Sequence, residues 1–128
     1  VLRTFKDLKV WQKSYDLCVH VYTLSRRFPA DERFGLSFQL RRAAVSVPSN
    51  IAEGYGRETT KDYLRFLWIA SGSLAELETQ LLLSKDLGLS SEEEAARVID
   101  ATAEVERMLK ALIRSLQERQ RTASRPDP

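Results

Sequence analysis

The sequence predicts an all-α fold: an up-down-up-down antiparallel four-helix bundle whose second helix is bent at Pro48. Three observations carry that prediction. Four segments repeat apolar residues at three- and four-residue steps, the spacing that gathers side chains on one face of a helix. No segment alternates apolar and polar residues as a half-buried strand does. The breaks between segments are short and rich in proline, glycine and capping residues, so consecutive helices are expected to fold back on one another.

The first helix is expected over about 5–28. Leu8, Trp11, Tyr15, Cys18 and Tyr22 share one face, and a second stripe of Val10, Leu17, Val21, Leu24 and Phe28 lies about 100° round the cylinder. This helix therefore offers a wide apolar arc. Pro29 closes it, and Asp31 is a natural N-cap for the second helix, expected over 31–55. Leu36, Leu40, Ala43, Ala44, Val47 and Ile51 form its apolar face. Pro48 within it removes a backbone donor and crowds the Ala44 carbonyl, at a cost of about 3 kcal/mol. A bend is the expected response, before Gly54 and Gly56 end the helix.

Thr59 or Thr60 caps the third helix, expected over 60–87, with Asp62 near its positive end. Leu67, Leu74 and Leu81 repeat every seventh residue, as do Tyr63, Ala70 and Leu77, which is bundle-core spacing. A further row, Leu64, Trp68, Ala75 and Leu82, lies to one side. Gly88 suits a left-handed C-cap. Ser91 and Glu94 then have the spacing of a capping box that opens the fourth helix, expected over 91–118. Its core rows are Ala95, Thr102, Leu109 and Leu116 with Val98, Val105 and Leu112. Residues 1–118 thus make one domain, and 119–128, polar and ending Arg-Pro-Asp-Pro, are expected to be a disordered tail.

A chain of 128 residues, 43% hydrophobic and 30% charged, suits a single ordinary core. No apolar run approaches the ~20 residues of a membrane span, and the first residues lack the apolar block of a signal peptide. A cytoplasmic location without a membrane partner is expected. Cys18 and His20 are the only cysteine and histidine. No internal disulfide can form, and the Glu-x-x-His signature of di-iron bundles does not occur. The Gly54-Tyr55-Gly56 turn is not followed by the Lys-Ser/Thr of a phosphate-binding loop. No metal, cofactor or small-molecule substrate is expected.

Two polar sets need an explanation beside so apolar a pattern. Asn50 and Glu53 lie one turn apart on the second helix, and Ser73, Glu76 and Gln80 form a similar stripe on the third. Together they are expected to be a structural hydrogen-bond network, since buried polar groups persist only when paired. The enzymatic reading of the same residues, an acid/base pair of Glu53 and Glu76, lacks a nucleophile or metal signature, so no catalytic residue is assigned. The net charge is only +2, but Arg41, Arg42, Arg57, Lys61 and Arg65 fall close together in sequence. These five are the candidates for nucleic-acid contact, through phosphate rather than bases.

Several strings also carry a resemblance. Leu8-x-Val10-Trp11-Gln12, Phe28-Pro29-x-x-Glu32-x-x-Gly35-Leu36 and the run from Gln39 to Arg57, with Pro48-Ser49-Asn50-Ile51-Ala52-Glu53-Gly54 at its centre, are joined by Ile69-Ala70-Ser71-Gly72-Ser73-Leu74-x-Glu76-Leu77-Glu78-Thr79-Gln80-Leu81. From about residue 5 to residue 116 the chain resembles the family of 23S rRNA-intervening sequence proteins. The resemblance implies a bacterial four-helix bundle that assembles into a ring-shaped homopentamer and whose biochemical role is largely unassigned. It also implies kinship with the accessory variability determinant of diversity-generating retroelements, a basic pentameric barrel that works with a reverse transcriptase and nucleic acid. Independently, the spare apolar surface of the first and third helices leads to the expectation of a homo-oligomer. The functional expectation is a non-enzymatic, self-assembling bundle that binds RNA or DNA through a basic surface. The alternative is a protein-interaction scaffold with no nucleic-acid contact.

Overall fold

In the computed structural model, which describes residues 2–124, four α-helices follow one another: α1 (Lys9–Ser25), α2 (Leu36–Tyr55), α3 (Thr60–Asp86) and α4 (Glu92–Ser124). Each helix packs on two neighbours, α1 on α2 and α4, and α3 on α2 and α4, while no Cα atoms of the diagonal pairs come within 8 Å among the described residues. That closed ring of contacts is the cross-section of a four-helix bundle.

Local hydrogen bonding sets the helix ends, and several differ from the sequence expectation. Thr4 Oγ1 accepts the Lys6 N–H at 2.9 Å, and the Asp7 carboxylate accepts the Arg3 and Thr4 N–H groups at 2.9 and 3.1 Å. These bonds close a single 3-10 turn, Phe5–Asp7, so α1 begins at Lys9 rather than near residue 5. They also hold the Asp7 carboxyl below the usual carboxylate range. Asp31 is not the cap of α2; it lies in a second 3-10 turn, Ala30–Glu32. Glu32, one residue on, puts its Oε2 3.3 Å from the Leu36 N–H at the true start of the helix. α2 is continuous from Leu36 to Tyr55 with Pro48 inside it.

At α3 the caps follow the sequence closely. Thr59 Oγ1 accepts the Asp62 N–H at 3.1 Å. At the far end Gly88 takes φ 73°, a conformation that costs glycine little. Its N–H donates to the Lys85 carbonyl at 3.0 Å and the Leu89 N–H to Ser84 at 2.9 Å, the two bonds of a Schellman motif. Ser91 Oγ accepts the Glu94 N–H at 3.1 Å. The Glu94 carboxylate, expected to reach back and complete the box, is instead bound by Arg27 of α1. α4 then continues to Ser124 and takes up the first six residues of the expected tail. Arg, Gln and Ala favour helix there, and Arg121 bonds Glu118 at 2.6 Å while Thr122 Oγ1 donates to the Glu118 carbonyl at 3.0 Å. Residues 125–128 of the expected tail lie outside the described residues.

The core takes one stripe from α1 and leaves the other at the margin. Val10, Leu17, Val21, Leu24 and Phe28 are buried, whereas Trp11, Cys18 and Tyr22 are half-buried and Tyr15 is exposed. They meet Leu40, Val47 and Ile51 of α2, Leu67, Leu74, Leu77 and Leu81 of α3, and Val105 and Leu109 of α4. A fully buried leucine or isoleucine of this kind stabilises by about 1.5–3 kcal/mol. On α4, Ile113 is buried where Leu112 was expected, and Leu112 is only half-buried. A straight helix drifts about 20° per heptad against a seven-residue repeat, which moves the core position by one residue at its far end.

The α2–α3 contact runs in opposite sequence directions: Ser46 meets Ser73, and Gly54, further along α2, meets Tyr63 and Phe66. A Cβ on Gly54 would stand 2.9 Å from Phe66 Cβ, so the glycine permits this close approach.

Candidate functional site

Part of the anticipated polar set comes together. Ser46 Oγ and Ser73 Oγ lie 2.7 Å apart across the α2–α3 seam, and Asn50 Nδ2 donates to the Ser46 carbonyl at 2.8 Å and to Ser46 Oγ at 2.9 Å. Ser46, the central member, stands outside the polar set that the sequence predicts. The Asn50 amide is directed to Ser46 and not to the Ala44 carbonyl that Pro48 leaves without its helical partner. Glu53 and Glu76 stand apart from this stitch. Glu53 is exposed and pairs with Arg57 at 3.5 Å, and Glu76 is exposed. Because Ser46 meets Ser73, Glu76 is level with Ala43, and about 15 Å of helix axis separates the two carboxylates. They do not form an acid/base pair. Gln80 is half-buried, and its Oε1 has no hydrogen-bond partner within the described residues.

The five basic candidates fall into two separate groups. Arg42 is on α2 and Arg57 lies just past its end, with the thirteen residues from 42 to 55 spanning about 20 Å of helix axis. At the Arg57 end, Arg57 pairs with Glu53 and Arg65 contacts Asp62 at 4.0 Å. Both guanidinium groups also lie over the Phe66 ring, at 4.7 and 4.6 Å from its centre. Lys61 is exposed beside them. The acidic partners reduce the positive field of this cluster.

At the other end, Arg41 and Arg42 line a groove of about 500 Å³ with Tyr22, Arg33, Phe34, Phe38 and Val45. Arg41 is held in place: its Nε donates to Ser25 Oγ at 2.8 Å and its guanidinium lies 4.8 Å over the Tyr22 ring. Arg33 lies 5.5 Å over Phe34. Phe34 is 85% exposed and Phe38 51%. No carboxylate lines the groove among the described residues. Sequence reasoning missed Arg33 and Phe34 because it placed them inside the second helix, whereas they occupy the turn before Gly35.

A second groove, of about 440 Å³ and almost wholly apolar, lies further along the same α1–α2 face. Phe5, Trp11, Tyr15 and Cys18 form one wall and Val45, Pro48 and Ala52 the other. Phe5 and Tyr15 both pack against Trp11, each with ring centres 5.2 Å away. Burial raises the Cys18 thiol above its ordinary pKa. Tyr15 and Val19 remain about half exposed, at 52% and 51%. Trp68, Ile69, Leu82 and Leu83 of α3 and Leu87 just past its end are also exposed. Among the described residues no cluster of three His, Cys, Asp or Glu side chains is placed to hold a metal, and no helix is long and apolar enough to cross a membrane.

The class is therefore an all-α four-helix bundle with uncovered apolar and basic grooves on its α1–α2 face. Residues 6–111 match the 23S rRNA-intervening sequence proteins, and the chain belongs to that family. Among solved structures it is similar to a protein of unknown function from the S23 ribosomal protein family of Bacteroides thetaiotaomicron. The two share 25% identity over 81% of this chain and 97% of the other, with a TM-score of 0.75. No curated protein matches the sequence.

Proposed function

We propose that the chain is a non-enzymatic, self-assembling bundle whose copies associate through the apolar groove of the α1–α2 face. The carrying observation is that groove: aromatic rings of Phe5, Trp11 and Tyr15 facing Val45, Pro48 and Ala52, with half-exposed Val19 at its edge. Aromatic enrichment of this kind is typical of the centre of protein interfaces. The exposed apolar residues of α3 supply further apolar surface, and a ring needs two different contacting faces per copy. A homopentamer is the assembly that the family resemblance implies. The separation of Glu53 from Glu76 supports the non-enzymatic reading. Val45→Glu, which places a charge in the groove while leaving the core untouched, should lower the mass of the assembly with helicity unchanged; an unaltered mass would refute the assignment of this face.

A nucleic-acid partner is the second element of the reading, supported by the unneutralised arginines around Arg42. Contacts to phosphate make such binding salt-sensitive and weakly sequence-specific. A protein scaffold without nucleic acid is the competing account. An electrophoretic shift assay across a salt series separates them, since the scaffold gives no shift with RNA or DNA even at low salt.

A further inference from the structure

Six cations among the described residues pair with a carboxylate. Lys13 pairs with Glu104, Arg27 with Glu94, Arg57 with Glu53, Arg65 with Asp62, Lys110 with Glu106 and Arg121 with Glu118. The groove at the start of α2 concentrates arginines that have no such ion pair among the described residues. It gathers Arg33, Arg41 and Arg42 without an acidic side chain in its lining, and it displays two phenylalanine rings that the fold does not bury. Phe34 contributes nothing to the core, and leaving it 85% exposed calls for a partner.

We propose that this groove binds single-stranded nucleic acid, with phosphates held by Arg33 and Arg42 and bases stacked on Phe34 and Phe38. The assignment rests on the nucleic-acid element of the function above and gives it a site and a strand form. Guanidinium groups hold phosphate oxygens through paired N–H donors, and every base has a face that can stack on an exposed ring. Arg41 is fixed by Ser25 and Tyr22, so its charge is preorganised at the groove wall. Phe38 and Arg42 lie one helical turn apart on α2, which sets a ring beside a cation along the path of a strand. A duplex keeps its bases stacked inside and offers only phosphate to this surface, so the two rings select for single strands.

The test is fluorescence anisotropy with a labelled oligoadenylate of about a dozen nucleotides, within the usual site size, as RNA, as DNA and as a duplex. Single strands should bind more tightly than the duplex. Phe34→Ser should weaken single-strand binding by about 5- to 150-fold, from the usual value of a stacked base. Arg42→Gln should weaken it as well and lower the slope of log K against log salt by about 0.7. Both side chains are exposed, so melting temperature should be unchanged, and Lys61→Gln should have little effect. Binding that survives both groove substitutions but fails in Lys61→Gln overturns the groove while leaving the nucleic-acid reading in place. Absence of binding to every probe at low salt overturns both. An assembly that dissociates in Phe34→Ser would put a second copy in the groove and likewise overturns the assignment.

Discussion

Replacing Gly54 by alanine should destabilise this protein although the position is inside a helix, where alanine is ordinarily the better residue. An added Cβ would lie 2.9 Å from Phe66 Cβ, 3.0 Å from Tyr63 Cδ1 and 3.2 Å from the Tyr63 carbonyl oxygen. Carbon atoms pack best about 3.5–4.0 Å apart. Two of the three neighbours, a β-carbon and a backbone oxygen, cannot rotate away, so α2 and α3 must separate. The gain in helix propensity is about 1 kcal/mol, and overpacking of this kind costs about 1–3 kcal/mol. With backbone among the clashing atoms the cost falls in the upper part of that range, for a net loss of about 1–2 kcal/mol. In a chain of this length that corresponds to about 4–8 °C in melting temperature. The control is Gly72→Ala on α3, where nothing lies within 4 Å of the added carbon. There the propensity term acts alone and should raise the melting temperature by about 3–4 °C. Both variants would be melted at one protein concentration, because association shifts apparent stability. The reasoning is refuted if Gly54→Ala melts higher than the unsubstituted protein, as Gly72→Ala should.

Two further outcomes follow from the same seam. Burial, with a smaller contribution from Tyr55 and an opposing one from Arg119, pushes the Tyr63 phenol up to about 12, against an unfolded value near 10. The folded state therefore favours the neutral phenol, and this contribution to stability is complete below pH 10 and lost as pH rises from 10 to 12. Tyr63→Phe should lose less stability across that window than the unsubstituted protein in urea unfolding, and an equal loss in both would contradict the assignment. Ser73→Ala removes one hydrogen bond across the seam, but Ser46 Oγ keeps its bond from Asn50. Its cost should stay near 0.5–1.5 kcal/mol in chemical denaturation, and a loss of several kcal/mol would mean that the stitch does more than join two helices.

The elements most legible in the sequence were those governed by long periodic patterns. The heptad rows of α3 became its buried face, and Thr59, Gly88 and Ser91 sit at helix ends as their chemistry suggests. Where short-range hydrogen bonds compete, periodicity says little. The Thr4 and Asp7 bonds delay the start of α1, and Glu32 rather than Asp31 serves α2 because only its carboxylate meets the Leu36 amide. The basic cluster looked continuous because a sequence compresses what a helix spreads over about 20 Å. The neutralising partners of Arg57 and Arg65 were legible in principle: Glu53 is four residues before one and Asp62 three before the other, spacings that bring side chains together. The groove residues Arg33 and Phe34 carried no such signal, since they sit in a turn and belong to no repeat.

The central claim is that the apolar α1–α2 face is covered by another copy of the chain. Sedimentation equilibrium of the unsubstituted protein tests it most directly. The account predicts a single species larger than a dimer, with a mass several times the 14.6 kDa of one chain. A homogeneous species of 14.6 kDa would contradict it.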